Sequence, residues 1–555
     1  MTNFSLVCTE RGFGRERIPA LALNGIKTMN WKKAVLYACF SLLAFMAGRA
    51  QAPEYDLVII GGTVFDGTGA AGASIDLGLK DGVIASVGRI LPSQGKRAIN
   101  AKGLYVAPGF IDIHTHGDRG ILNEQLKGAQ NYITQGVTTL VTGNCGDGTY
   151  EVAQYFDRIR QQGAGLNIIH LVGHATARES VMRQADRAPT PEELQKMKGL
   201  VEKAMREGAA GMSTGLFYAP GSYAKIDEIV ELAKAVRQYG GIYASHIRDE
   251  SNYTTGLKAS IAEAIQVGEQ AGIPVEISHI KALGKAVWGQ APEVCRMIEA
   301  AQARGVRVYA DQYPYGASST SLAAATLARW VQADGRTRER LQDPELLPKI
   351  KNEMAENIER RGGPDTLRIS SFRAKPEWEG KSLLEISRTL GKTPVDAAVE
   401  ILLVGDPSVT SFNMSEADIE FFMKKPYVST CSDGEIVAFG RGVPHPRNYG
   451  TFTRRIAQYV IEKKTITMEH AIRAATGLPA EVLGLRDRGL IRKGYAADIV
   501  VFNPVTIADR ATYEKPHQYS AGISYVLVNG KLAVDEGRVT GALAGRPLPL
   551  AREIR

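Results

Sequence analysis

Two histidines one residue apart close the apolar run Pro108-Gly-Phe-Ile-Asp-Ile-His114-Thr-His116. Side chains alternate faces along a strand, so residues i and i+2 project from the same face. His114 and His116 can therefore share one metal ion. A bare pair of this kind is a weak signal. It gains weight from residues of metal-binding or acid/base type that end later apolar runs: Cys145 in Thr-Gly-Asn-Cys-Gly, His246, His279, and Asp433 in Ser-Thr-Cys-Ser-Asp-Gly. Four of the nine histidines sit at such run ends, which scattered structural roles do not explain. Imidazole, thiolate and carboxylate gathered together can hold a divalent metal and move a proton.

The elements that must position these residues recur along the chain. Short β-rich runs occupy 110–113, 138–142, 167–172, 209–213, 242–245, 274–278, 306–310 and 427–430, the first seven about thirty residues apart. Segments between them, such as 227–239 and 253–271, carry helical periodicity. Strand–helix repeats of this length predict a parallel sheet with crossover helices. Eight such strands predict an α/β fold, a closed (β/α)8 TIM-like barrel, with an open doubly wound sheet as the alternative. In a barrel the chemistry sits at the C-terminal strand ends, where His114, His116, Cys145, His246, His279 and Asp433 all fall. The long gap before the eighth run predicts an insertion near 320–420, a lid over the barrel mouth.

Both chain ends read differently. Segments 55–66, 78–87 and 98–106, and then 497–503, 524–528 and 531–535, look like short strands with Gly-rich turns, and Asn529-Gly530 is a hairpin signal. They are expected to pair into one small β-sandwich. The expected organisation is thus a leader over 1–52, sandwich halves over 53–107 and 484–555, and a barrel over 108–483. Gly62 and Gly67 frame no phosphate loop, because no lysine follows them.

At 555 residues, with 44% hydrophobic and 23% charged residues, the chain has the balance of a globular enzyme. Its formal charge of +8 comes largely from the first 52 residues, which hold seven Lys/Arg and two Asp/Glu; the remainder is +3. Nothing in that balance calls for nucleic acid or an acidic membrane. Lys32 and Lys33, the apolar run 34–48 and Ala50-Gln51-Ala52 read as a signal peptide cleaved after Ala52, with Met29 as the start of translation. A periplasmic or secreted protein with no stable membrane span is expected. Three cysteines remain beyond residue 52, at 145, 295 and 431, which is no disulfide framework; Cys295 reads as core.

The set H-x-H on the first strand, single histidines on the fifth and sixth and an aspartate on the eighth resembles the amidohydrolase superfamily. One departure is specific: the fourth run, Ala-Ala-Gly-Met-Ser, has no lysine that could be carboxylated to bridge two metals. With Cys145 on the second strand, Ser213-Thr-Gly-Leu, His246-Ile-Arg-Asp-Glu250, Ser278-His-Ile-Lys281 and Asp311-Gln-Tyr-Pro-Tyr315, the chain from about 54 to 540 resembles the N-acyl-D-amino-acid deacylase (D-aminoacylase) branch. The resemblance implies one tightly held zinc on Cys145, His246 and His279. It also implies a weaker second site on His114, His116 and the shared Cys145. A thiolate with neutral imidazoles suits Zn²⁺. Asp433 would take a proton from the attacking water and return it to the leaving amine, which departs poorly as an anion.

An N-acyl amino acid carries an α-carboxylate that needs a cationic clamp. Lys281 stands two residues beyond His279, and Tyr313 and Arg447 resemble the family's other carboxylate contacts. His174 and Arg178 are substrate contacts or packing residues. Acid-selective relatives place an arginine after the seventh strand, whereas Gly316 to Ala325 contains no cation and the next is Arg329. A neutral, apolar D-side chain is therefore expected. The implied reaction is zinc-dependent hydrolysis of N-acyl-D-amino acids. An L-Xaa-D-Xaa dipeptidase and a non-catalytic binding barrel are the alternatives; the absent lysine argues against a cyclic-amide hydrolase.

Overall fold

The structure, a computed structural model, describes residues 53–550 and, ahead of them, Val35 alone. The expected leader lies outside the described residues. No helix among the described residues is long and apolar enough to cross a membrane.

Eight parallel strands form the centre: β1 (Phe110–Asp112), β2 (Val137–Thr142), β3 (Asn167–His170, continued by Val172–Gly173), β4 (Gly211–Gly215), β5 (Ile242–His246), β6 (Val275–Ile277), β7 (Val308–Gln312) and β8 (Val428–Thr430). The first half of β3 pairs with β2, which pairs with β1, and the second half begins the arc β4 to β8. Only Leu171 separates the halves, and the Ala210 N–H bonds the His170 carbonyl at 2.8 Å across that junction. The circle closes beyond the ends of β1 and β8. There the Asp433 N–H donates to the His114 carbonyl at 2.9 Å and the His116 N–H to the Gly434 carbonyl at 2.7 Å. Buried Asp112 adds a side-chain tie, accepting the N–H groups of His114 at 3.3 Å and Ser432 at 3.0 Å. The sheet is thus a closed barrel, and the open alternative falls.

Local sequence explains the elements. All six residues of β2, Val-Thr-Thr-Leu-Val-Thr, are buried, as expected of a strand covered on both faces. The helix Pro191–Arg206 starts at a Thr190/Glu193 capping box with proline in its first turn. It turns Met197, Val201, Ala204 and Met205 inward.

The chain ends form two further sheets. Tyr55–Ile60 lies between Asp76–Lys80 and Gly95–Asn100 in one of them. In the other, Tyr105–Pro108 pairs antiparallel with Ile499–Phe502, joining early and late segments. Leu57, Ile59, Leu79, Val106, Ile499 and Leu527 share one core. Three segments expected as strands are split, 78–87 into the antiparallel pair Asp76–Lys80 and Val83–Gly88. Gly61, at φ +74°, separates Tyr55–Ile60 from Thr63–Val64, and Gly103, at φ +78°, precedes Tyr105–Pro108; each glycine sends the chain from one sheet to the other. Asn529 and Gly530 both take left-handed φ, as a tight hairpin turn requires.

Between β7 and β8 the chain builds an antiparallel sheet of Ser318–Ser321, Ser408–Ser411 and Leu367–Ser371 with several helices. This excursion has its own core, including Leu322, Ile350, Met354, Leu367 and Val409.

Gly109 carries the chain from Tyr105–Pro108 into β1, and a Cβ there would stand 2.2 Å from Thr138 Cγ2. Gly109→Ala is expected to lower the stability measured by urea denaturation by about 1–3 kcal/mol. Gly128→Ala, whose Cβ meets nothing within 4 Å, is expected to change it by less than about 0.5 kcal/mol. Equal unfolding midpoints for the two would contradict the tight junction.

Candidate metal centre and catalytic pocket

The C-terminal strand ends bring all the expected donors together. Cys145 Sγ lies 3.4 Å from His114 Nε2, 3.5 Å from His246 Nδ1 and 3.7 Å from His279 Nε2. His279 Nε2 and His246 Nδ1 are 2.9 Å apart. Asp433 Oδ1 is 3.2 Å from His116 Nε2 and 3.6 Å from His114 Nε2. Three overlapping triads result, His114–His116–Cys145, Cys145–His246–His279 and His114–His279–Asp433, with donor atoms in each within 4.8 Å of one another.

Local backbone aims these side chains. The Cys145 loop leaves β2 through Gly143, where a Cβ would stand 2.0 Å from the Leu171 carbonyl oxygen. On β4, Ser213 donates to the Gly143 carbonyl and accepts the Gly146 N–H at 3.0 Å. The strand that lacks a bridging lysine thus supports the cysteine loop instead. Cys145, His279 and Asp433 take φ of +53°, +36° and +49°, a sparsely populated region for side-chain-bearing residues.

Carboxylates orient the imidazoles from behind. Asp311 Oδ2 lies 3.4 Å from His114 Nδ1, and its Oδ1 accepts the His279 N–H at 2.6 Å. Glu250 Oε1 lies 3.0 Å from His279 Nδ1 and 2.6 Å from Lys281 Nζ. Lys281 Nζ lies 2.6 Å from the same His279 Nδ1, which is thus held between the Glu250 carboxylate and the Lys281 ammonium while Nε2 faces the cluster. Beneath them, burial and then the charge of Asp311 push the carboxyl of Glu276 well above the usual range. The quoted motifs contain Asp311 and Glu250 and the chain between them contains Glu276, but sequence spacing gave none of them a role, because their partners come from other strands.

The electrostatics call for positive charge at the centre. Burial opposes ionisation of Cys145, yet the His114 and His116 imidazoles hold its thiol well below its usual range. Burial likewise opposes charge on His114, yet Asp311 and Cys145 hold it well above the imidazole range. Protons or a metal ion can meet that demand, and one thiolate with converging imidazoles fits Zn²⁺.

Lys281, Tyr313 and Arg447 gather beside this cluster. Lys281 Nζ and the Arg447 guanidinium lie 5.5 and 4.8 Å from the centroid of the Tyr313 ring. Arg447 also donates to Asp433 Oδ2 at 2.6 Å. His445 fixes the start of that segment, accepting the Arg447 N–H at 3.0 Å on Nδ1 and donating through Nε2 to the Ala317 carbonyl at 2.9 Å. His174 and Arg178 instead pair with buried Glu228, at 2.8 and 2.9 Å. One cavity of about 400 Å³ is lined by Cys145, His279, Lys281, Tyr313, Asp433 and Arg447. The excursion completes its wall with Ser318–Ser321, Gln332 and Arg361. The expectation of a neutral, apolar D-side chain rested on the loop after β7; Arg361, from farther along the excursion, also lines this cavity.

A closed parallel barrel with this donor set at its rim defines a hydrolytic enzyme of the metal-dependent type. A family model described as Amidohydrolase family matches residues 97–363 and 427–534. The chain is 35% identical to a D-aminoacylase of Alcaligenes xylosoxydans xylosoxydans over 523 residues, 90% of this chain and 99% of that relative. The solved N-acyl-D-glutamate deacylase of Bordetella bronchiseptica, complexed with zinc and a phosphonate mimic of the tetrahedral intermediate, matches with a TM-score of 0.76 and 32% identity over 89% of this chain and 100% of that one. A D-aminoacylase structure concerned with one-metal activation and second-metal attenuation of a binuclear centre gives 0.78 and 33%, over 89% and 99%. This chain belongs to the amidohydrolase family.

Glu250→Gln removes the charge that orients His279 and Lys281. It is expected to weaken zinc binding by roughly 10- to 100-fold in competition with a chelator. Unchanged zinc affinity would remove Glu250 from the support of the centre.

Proposed function

We propose that the chain is a zinc-dependent N-acyl-D-amino-acid deacylase. The observation that carries this reading is the placement of Lys281, Tyr313 and Arg447 beside Asp433 and the thiolate–imidazole cluster in one cavity. Similarity to D-aminoacylase and N-acyl-D-glutamate deacylase supports the substrate class.

Cys145, His246 and His279, all buried, would hold the tighter zinc. His114, His116 and the shared Cys145 would hold a weaker second ion, because the His116 side chain keeps 29% of its exposure. A bound zinc supplies activation of water and polarisation of the acyl carbonyl. Arg447 and the neighbouring imidazoles, against the effect of burial, hold the Asp433 carboxyl well below the usual range, so it stands ionised and able to accept a proton. Asp433 takes the proton of the attacking water and delivers it to the leaving nitrogen, releasing a carboxylate and a free D-amino acid. Lys281, Tyr313 and Arg447 receive the substrate's α-carboxylate. The leader reading adds export to a periplasmic or secreted location.

Zinc-loaded protein beginning at residue 53 is expected to hydrolyse N-acetyl-D-amino acids at least roughly 100-fold faster than their L-enantiomers in kcat/KM. Cleavage of L-Leu-D-Leu alone would move the reading to a dipeptidase, and inactivity on all substrates would defeat it. Asp433→Asn is expected to retain zinc while kcat falls roughly 10²- to 10⁴-fold. Full turnover by that variant would end the proton-transfer role.

A further inference from the structure

A second cavity, of about 600 Å³, adjoins the first at Asp433. The two share Ser319, Ser408, Asp433, Glu435 and Arg447 in their walls. Cys145, His279, Lys281 and Tyr313 line the first and not the second. The second is walled instead by the excursion strand Leu367–Ser371 and by the segment that follows Asp433. These two elements are tied together, the Val443 N–H donating to the Ser370 carbonyl at 2.8 Å. Within the segment, the Glu435 N–H donates to Asn448 Oδ1 at 3.0 Å.

The position of the second cavity selects which part of a substrate enters it. On the deacylase reading the reacting carbonyl lies at Asp433, and Lys281 and Tyr313 draw the α-carboxylate, and Cα with it, into the first cavity. The acyl group, attached on the other side of the carbonyl carbon, is thereby directed past Asp433 into the second. Cavities of roughly 300–1,000 Å³ hold drug-sized ligands, so the methyl of an acetyl group leaves this one nearly empty.

The lining selects the chemistry. Ser370, Ser371 and Ser408 offer hydroxyl groups, Arg441 and Glu379 charges of opposite sign, and Val437 apolar surface. A long aliphatic chain would strip water from these polar groups and pair none of them. A peptide chain carries N–H donors and carbonyl acceptors along its length and can meet both kinds.

We propose, resting on the deacylase reading, that the second cavity is an acyl subsite for peptidyl groups of two or more residues. The enzyme then also removes C-terminal D-residues from short peptides. The oxygen of water bonds to the peptidyl carbonyl carbon, the C–N bond to the D-residue breaks, and the leaving nitrogen takes the proton. The products are a shortened peptide carboxylate and a free D-amino acid.

Initial rates of the zinc-loaded enzyme on N-acetyl-D-leucine, N-acetyl-D-tryptophan, N-octanoyl-D-leucine and N-acetyl-L-alanyl-L-alanyl-D-leucine test this. The peptide is expected to exceed the acetyl and octanoyl leucine substrates by roughly tenfold or more in kcat/KM. Ser371→Trp narrows the second cavity at an exposed position that does not line the first. In that variant the peptide-to-acetyl ratio is expected to fall roughly tenfold or more. If it fails to fold, Ala438→Trp narrows the same cavity. A ratio unchanged by the tryptophan, or an octanoyl substrate that matches the peptide, overturns the peptidyl subsite. Selective loss of N-acetyl-D-tryptophan turnover in the narrowed variant also overturns it, because the D-side chain would then occupy the second cavity. A peptide no better than N-acetyl-D-leucine overturns the subsite and leaves the deacylase reading standing. Hydrolysis of none of the substrates overturns the deacylase reading, and the subsite with it.

Discussion

The seam between β1 and β8 is the constraint on which the site depends. Two backbone hydrogen bonds, Asp433 to His114 and His116 to Gly434, close the barrel at the level of the candidate chemistry. The same contacts set Asp433 3.2 Å from His116 Nε2. The contacts that close the barrel therefore also place Asp433. Asp112, buried under the seam and accepting amide hydrogens from both sides, makes the junction a three-way tie. Burial pushes its carboxyl up to about 7, partly offset by the hydrogen bonds from Ser432.

The absence of a bridging lysine on β4 alters how the donors are held. A thiolate from β2 takes the central position, and its loop is tied to β4 through Ser213. Cys145, His279 and Asp433 each adopt a left-handed backbone conformation, and each is held by a named contact close by. For Cys145 it is the Ser213 hydroxyl on the Gly146 amide, for His279 the Asp311 carboxylate on its own amide, and for Asp433 the His114 carbonyl. Such conformations persist where surrounding structure over-determines them, and they direct side chains off the strand ends toward one point. The carboxylates behind the imidazoles then fix ring orientation.

Residues whose placement follows from strand periodicity were legible in the sequence. His114 and His116 lie two apart beyond a strand, and Cys145, His246, His279 and Asp433 end apolar runs at repeated intervals, so fold and donor set emerge together. The roles of Asp311, Glu250 and Asp112 were not legible, because each acts on a residue of another strand and only closure of the barrel brings them into contact. The breaks at Gly61 and Gly103 escaped notice because apolar content continues across them, while left-handed φ transfers the chain between sheets. Arg361 was not singled out for a similar reason: its place in the cavity wall is decided by the packing of the excursion. His174 and Arg178 looked equally like substrate contacts and packing, and Glu228 resolves them as a buried ion-pair network.

The proposed centre holds a metal through the Cys145 thiolate together with imidazoles at the barrel rim. X-ray absorption at the zinc edge of the singly loaded protein tests it most directly. One sulfur at about 2.3 Å with nitrogen ligands at about 2.0–2.1 Å is expected, with loss of the sulfur in Cys145→Ser. A zinc shell of nitrogen and oxygen alone in the unaltered protein would contradict it.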